Sequence, residues 1–268
     1  MSHTTPLQHS TFEVPGASLS VSYSDEHGQA VVQLHGLTSS RKRDRLLDLD
    51  LGRGLSGTRL LRYDARGHGQ STGRTIATDY QWDTLATDLL SLLDAYFPNE
   101  QVHGVGPSMG CATLLHAATR EPDRFSGFTL MLPPTAWESR AAQASEYLSR
   151  ADFLETNGMD AFLKAETLSA QPPATIGVPD TVPDIPVELL PWAYRGAALS
   201  DLPPRQSIAS LTQPTTILCW VDDPGHPVST AIELTRLMPN SQLRIATTPT
   251  EVAEWPRHLC DDLKLEMV

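Results

Sequence analysis

The sequence GPSMG at residues 106–110 stands between an apolar run, residues 101–105, and a stretch of small and apolar residues that begins at Met109. This arrangement predicts a β-strand that turns directly into an α-helix. Glycines on both sides let the strand and the helix pass closely, and the turn holds Ser108 exposed at the carboxyl end of the strand. At the amino end of a helix, a neighbouring N–H and the helix dipole can stabilise negative charge beside Ser108. Ser108 is therefore a candidate nucleophile.

Outward from this turn, short apolar runs alternate with longer runs of helical periodicity. In residues 80–96, for example, Leu85, Leu89, Leu92 and Leu93 recur on one helical face. Strands that alternate with helices predict an α/β fold, with a parallel sheet and crossover helices on both of its faces. The predicted strands are residues 30–34, 58–63, 101–105, 127–132, 215–221 and 242–246. The predicted helices are residues 80–96, 109–119 and 229–238, and one closing helix.

The alternation stops between residues 133 and 210. Residues 135–168 have a helical pattern without strands, and residues 171–204 hold eight prolines, which favour extended segments and turns. We interpret 133–210 as a cap, or lid, inserted into a core formed by residues 1–132 and 211–268; the alternative for the proline-rich part is a surface linker. A lid over a pocket is favoured by the aromatic residues of this segment, which are Trp137, Tyr147, Phe153, Trp192 and Tyr194.

Composition narrows the class of protein. The 268 residues form one large domain, or one domain with an insertion. A net charge of −12 and a pI near 5.1 argue against a nucleic-acid or anionic membrane partner. The first ten residues lack the pattern of a signal peptide, and the apolar runs are too short to span a membrane. Three cysteines are too few for a disulfide framework and are not spaced as metal ligands. A cytoplasmic protein is expected.

Two further motifs occur in order with the GPSMG turn. HGL at residues 35–37 follows the strand AVVQL, and DARGHGQS at residues 64–71 follows the next predicted strand. With these three motifs the chain resembles the α/β-hydrolase superfamily over nearly its whole length. The resemblance implies a mostly parallel sheet flanked by helices, with a helical and proline-rich cap.

Carried over residue by residue, the resemblance implies that Ser108 is the nucleophile. The N–H groups of Leu37 and Met109 would form the oxyanion hole, supported by His35, Gly36, Gly106 and Gly110. Asp64, Arg66 and His68 would be structural residues of a turn near the site.

The acid is expected at the end of the strand at residues 215–221. There the family often shows the pattern D-x-x-x-P, which Asp223 and Pro227 match. Asp222 is the fallback.

The general base departs from the family pattern. The resemblance places a histidine a few residues after the last strand, but residues 247–254 contain none. His258, 12 residues beyond Ala246, is one candidate if a long loop returns it to Ser108. His226 is the other and is preferred; it precedes a helix for which Thr230 and Glu233 predict a capping box. A helix amino end favours the neutral imidazole that a base requires.

The function implied is that of a serine hydrolase that cleaves a small carboxylic ester, lactone or thioester through an acyl-enzyme. No metal and no organic cofactor is expected. The partner would be a small-molecule substrate with an apolar acyl or alcohol part, while the oligomeric state is left open. Two alternatives share the fold: a non-catalytic or regulatory protein that binds a small molecule, and a cofactor-free C–C hydrolase or perhydrolase.

Overall fold

The computed structural model describes residues 7–25, 27–166 and 171–265, and within them eight strands form one sheet. The strands are β1 (Gln8–Val14), β2 (Ala17–Asp25), β3 (Gln29–Gln33), β4 (Thr58–Tyr63), β5 (Val102–Pro107), β6 (Phe125–Met131), β7 (Thr215–Trp220) and β8 (Ser241–Ala246). Their order is β1-β2-β4-β3-β5-β6-β7-β8. β2 is antiparallel to both of its neighbours, and all other pairs are parallel. This confirms the predicted α/β class and a mostly parallel sheet.

The described helices are α1 (Arg41–Leu46), α2 (Trp82–Tyr96), α3 (Met109–Arg120), α4 (Arg140–Glu166), α5 (Leu190–Ala198), α6 (Arg205–Ala209), α7 (Val228–Leu237), α8 (Pro249–Ala253) and α9 (Trp255–Leu263). Helices cover both faces of the sheet. Consecutive residues of a strand point to opposite faces, so one strand packs against helices on both sides. Val32 of β3 packs in one apolar cluster with the leucines of α2 and α3. Its neighbour Val31 packs in a second cluster with Leu259 and Leu263 of α9.

The six predicted strands correspond to β3 through β8, with ends within two residues. The β1–β2 hairpin was not predicted; its turn contains Gly16, whose φ of +84° favours glycine. The single closing helix is two helices, α8 and α9.

The capping box predicted from Thr230 and Glu233 is wrong. The helix α7 begins at Val228, and its N-cap is Pro227, three residues before Thr230, with no side-chain cap. Glu233 instead pairs with Arg205 across 3.1 Å. A capping box does form at α8, between Thr248 and Glu251.

The segment between β6 and β7 carries α4, α5 and α6. Of residues 135–168, for which a helical pattern was predicted, 140–166 form α4, with a break at Gly158, where φ is +78°; residues 167–168 lie outside the described part of the chain. The proline-rich stretch contains the helix α5, which tolerates Pro191 because that residue lies in its first turn. Leu154 and Phe162 of α4 pack with Leu190 and Tyr194 of α5 in an apolar cluster of their own.

The turn after β4 is held by a buried ion pair, which agrees with the structural role expected for Arg66. The Arg66 guanidinium bonds Asp88 of α2 through two hydrogen bonds, of 2.8 and 2.7 Å, and both side chains are buried. Arg195 bonds Glu155 in the same two-bond manner, at 2.7 and 2.6 Å, but here the Arg195 side chain is half-buried and the Glu155 carboxylate is exposed.

We expect Arg66→Met to lower the free energy of unfolding by about 3–5 kcal/mol, because it leaves the Asp88 carboxylate buried without a partner. The matched change Arg195→Met should cost less than about 1 kcal/mol, since water replaces the lost partner of Glu155. Urea unfolding of the three proteins measures both values. Equal losses would show that burial does not distinguish the two pairs.

Candidate active site

Ser108 lies in the turn from β5 to α3 with φ +52° and ψ −111°. This conformation is strained for any residue other than glycine, and a hydrogen bond of 3.0 Å from the Ser108 N–H to the Met131 carbonyl holds it. The flanking glycines are required by close packing. A Cβ at Gly106 would lie 2.9 Å from the carbonyl carbon of Gly110, and a Cβ at Gly110 would lie 2.9 Å from Cβ of Leu34.

A chain of hydrogen bonds joins Ser108 to His226 and Asp223. The Ser108 Oγ lies 2.8 Å from Nε2 of His226, and Nδ1 of His226 lies 2.8 Å from Oδ2 of Asp223. An ionised carboxylate can only accept, so Nδ1 carries the proton and donates it. The neutral ring then presents an unprotonated Nε2, which accepts a hydrogen bond from the Ser108 hydroxyl. This is the arrangement needed to remove a proton from serine.

Asp223 and His226 belong to one tight turn after β7. Oδ1 of Asp223 accepts the backbone N–H groups of Gly225, at 3.0 Å, and of His226, at 3.3 Å. The Gly225 carbonyl accepts the N–H of Thr135, at 3.1 Å, which ties the turn to the chain after β6. Asp222 is exposed, and no hydrogen bond joins it to His226 in the described part of the chain. The geometry thus favours Asp223 over Asp222.

The environment of Asp223 keeps its carboxyl ionised. Burial opposes the charge, but His226 and hydrogen bonds from His226, from the Trp220 indole and from the Gly225 N–H offset it. The pKa of Asp223 is therefore held well below its ordinary value.

The structure does not bring His258 to Ser108. The residues that would have to form a returning loop are helical in α8 and α9, and His258 lies on α9. It interacts electrostatically with Asp262, one turn further along that helix, and does not line the cavity beside Ser108.

The loop after β3 lies against Ser108. A Cβ at Gly36 would come within 3.7 Å of Cβ of Ser108. Among the described residues, neither the Leu37 N–H nor the Met109 N–H has a hydrogen-bond acceptor, so both can bind an oxyanion. His35 braces this loop: Nδ1 bonds the Gly36 carbonyl at 2.8 Å, and Nε2 accepts the N–H of Ala65 at 2.9 Å.

Asp184, from the proline-rich segment, fastens the same loop. Its N–H bonds the carbonyl of Thr38 at 2.9 Å, and Oδ2 accepts the hydroxyl of Ser40 at 2.6 Å. Thr38 has φ +62°, which is strained for a β-branched residue. Contacts from outside the loop therefore maintain the backbone next to Leu37.

A cavity of about 760 Å³ opens beside Ser108 and His226. Its apolar wall comes from the segment after β3, from the end of β6 and from α8; it includes Leu47, Leu49, Leu132 and Val252. Residues 174–181 of the proline-rich stretch line another side. Around the rim stand the charged residues Arg43, Arg45, Asp48, Arg53 and Asp180. The size and apolar lining suit a small organic molecule.

The aromatic residues that favoured a lid over a pocket do not line this cavity. Tyr147 and Tyr194 pack on one another at a ring-centroid distance of 5.7 Å, and Phe153 is 40% exposed. Trp137 and Trp192 lie under Arg205 and Arg195. The apolar wall consists instead of aliphatic residues and prolines, together with Trp220.

Two functional contacts were not found in the sequence. The Trp220 indole N–H bonds Oδ2 of Asp223 at 2.7 Å, and Asp184 reaches the loop at Thr38 across more than 140 positions of the chain. In the sequence, Trp220 is one of several apolar residues in a predicted strand. Asp184 is one of several polar residues in a proline-rich stretch. Nothing local marks either of them.

The model of the α/β-hydrolase fold family matches residues 29–248, and the chain belongs to this family. A relative among curated proteins is 3-oxoadipate enol-lactonase 1 of Acinetobacter baylyi, 29% identical over 177 residues. That match covers 62% of each chain, so this chain spans less than two thirds of the relative's length.

Solved structures of similar fold include a hydrolase from Pseudomonas aeruginosa and the enol-lactonase from Burkholderia xenovorans. The first has a TM-score of 0.76 at 22% identity and covers 95% of this chain and 98% of its own. The second has a TM-score of 0.73 at 19% identity and covers 95% and 100%. At these identities the likeness establishes the fold. Within the described residues, each helix is too short or too polar to cross a lipid bilayer.

Proposed function

We propose that the chain is a serine hydrolase that cleaves a small carboxylic ester, lactone or thioester. The observation that carries this proposal is the hydrogen-bonded chain from Ser108 through His226 to Asp223, beside a cavity and two backbone N–H groups that have no acceptor among the described residues. The base would then lie in the turn after β7, three residues from the acid, and not after the last strand.

In this mechanism His226 Nε2 takes the Ser108 proton as Oγ attacks the substrate carbonyl carbon. The carbonyl oxygen becomes an oxyanion, which the N–H groups of Leu37 and Met109 bind. Asp223 holds the ring of His226 and stabilises its positive charge. His226 then returns the proton to the leaving alcohol, enol or thiol. A water molecule, deprotonated by His226, releases the acyl group and restores Ser108.

The substrate we propose carries an apolar group along the wall formed by Leu47, Leu49 and Val252. Residues 133–210 would act as a cap, with residues 174–181 as the part that meets the substrate. The name of one relative, an enol-lactonase, is consistent with a carbonyl substrate.

The p-nitrophenyl esters of acetic, butyric and hexanoic acid test the reaction and the apolar wall together. We expect turnover of all three and a kcat/KM that rises with chain length. Each methylene that leaves water for the wall contributes up to about 0.8 kcal/mol, or fourfold. The absorbance of released p-nitrophenolate, corrected for spontaneous hydrolysis, gives the rates.

Turnover of acetate and hexanoate at equal kcat/KM would contradict the apolar wall but leave the reaction standing. Rates no faster than spontaneous hydrolysis for these esters, for γ-butyrolactone and for an acyl thioester would contradict the reaction. A non-catalytic binding protein would also give rates no faster than spontaneous hydrolysis.

A further inference from the structure

Trp220 is the last residue of β7, and its indole is held from two sides. It is paired in the sheet with Ala246 of β8 and is 8% exposed. Its ring stacks on Trp255 of α9, with ring centroids 5.7 Å apart and planes inclined by 15°. The N–H of this ring is therefore a donor in a fixed position.

That donor is directed at the acid of the proposed mechanism. Trp220 Nε1 lies 2.7 Å from Oδ2 of Asp223, the same oxygen that accepts Nδ1 of His226. The other oxygen of Asp223 is occupied by the backbone of its own turn. With Oδ1 bonded to the backbone of the turn, Oδ2 is the oxygen that bonds the His226 ring, and Trp220 limits rotation of that oxygen away from the ring.

We propose that Trp220 is a positioning residue, which holds the Asp223 carboxylate for His226 and shares its negative charge; this inference rests on the proposed function. Trp255 supports it by stacking.

The variant Trp220→Phe removes the N–H but keeps an aromatic ring against Trp255. We expect kcat for p-nitrophenyl butyrate to fall about tenfold, the loss typical of one hydrogen bond to a charged group, with little change in KM. Without the indole donor, Oδ2 attracts the proton of His226 more strongly. The acidic limb of the pH profile of kcat/KM should therefore move to higher pH.

The matched control is Trp255→Phe, which alters the same stack and removes no donor from Asp223. It should leave the pH profile in place, and thermal unfolding of both variants measures the cost of the altered stack. If Trp220→Phe and Trp255→Phe behave alike in kcat and in pH profile, Trp220 only packs and the inference is wrong.

A proton NMR titration of His226 separates this inference from the proposed function. The Nδ1–H resonance and the titration of the ring can be followed whether or not the protein turns over an ester. A titration midpoint that moves up in Trp220→Phe and not in Trp255→Phe supports the positioning role. A midpoint that is unchanged in both variants overturns the positioning role. Absence of ester turnover in the wild type overturns only the proposed function.

Discussion

His226→Ala is expected to lower kcat/KM for p-nitrophenyl butyrate by about 10⁴- to 10⁶-fold, the loss typical of removing the base of such a site. Alanine cannot take the Ser108 proton, and the hydroxyl is a weak nucleophile without that transfer. The activity that remains would come from the oxyanion hole and from substrate binding. Steady-state kinetics of the purified variant, with its fold checked by circular dichroism, measure the change.

His258→Ala is the matched control, because His258 is the candidate that follows the last strand, the region in which the resemblance to α/β-hydrolases places the base. We expect its kcat/KM to stay within about twofold of the wild type, since surface changes away from the chemistry have small effects. A large loss in His258→Ala with an active His226→Ala would reverse the two assignments.

Ser108→Ala is expected to have an effect of similar size, about 10⁴- to 10⁶-fold in kcat/KM, since it removes the atom that attacks the substrate. Ser39→Ala is a fair comparison: Ser39 lines the same cavity, but its hydroxyl bonds the buried carboxylate of Asp44. That variant should retain most of the activity. The double variant of Ser108 and His226 should lose no more than either single change, because the two residues act as a unit.

Comparable losses in Ser39→Ala and Ser108→Ala would point to damage of the cavity and not to loss of a nucleophile. An additive loss in the double variant would contradict the hydrogen-bonded chain as the working unit.

Local pattern was sufficient for most of the sheet. Strands β3 through β7 are short, largely apolar runs bounded by turn residues, and such runs predict buried parallel strands; the edge strand β8 is partly exposed. β1 was missed because it is mostly exposed and largely polar, with no continuous apolar run. Helix α1 was missed because residues 41–46 are almost all charged.

Some residues of the candidate site could likewise be predicted from local motifs, and others could not. Ser108 and the loop at Gly36 and Leu37 belong to motifs whose spacing is local. The choice between His226 and His258 depended on whether residues 247–257 form a long loop, and a capping box at Thr248 and Glu251 makes that stretch helical. The capping box at Thr248 and Glu251 could have been predicted from the sequence. The one predicted at Thr230 and Glu233 does not form.

Contacts distant in sequence were beyond this reading. Trp220 and Trp255 are 35 positions apart, and their stacking depends on how α9 packs against β7. Asp184 reaches Thr38 only after the segment between β6 and β7 has folded over the sheet. Such pairs follow from tertiary packing, which residue type and periodicity do not encode.

The nucleophilic character of Ser108 is tested most directly by reaction of the wild type with a fluorophosphonate, followed by intact mass and peptide mapping. The account predicts one adduct per chain, on Ser108, and labelling that is slowed strongly in His226→Ala and not in His258→Ala. An adduct on another residue, or an unlabelled wild type that turns over no ester, would contradict it.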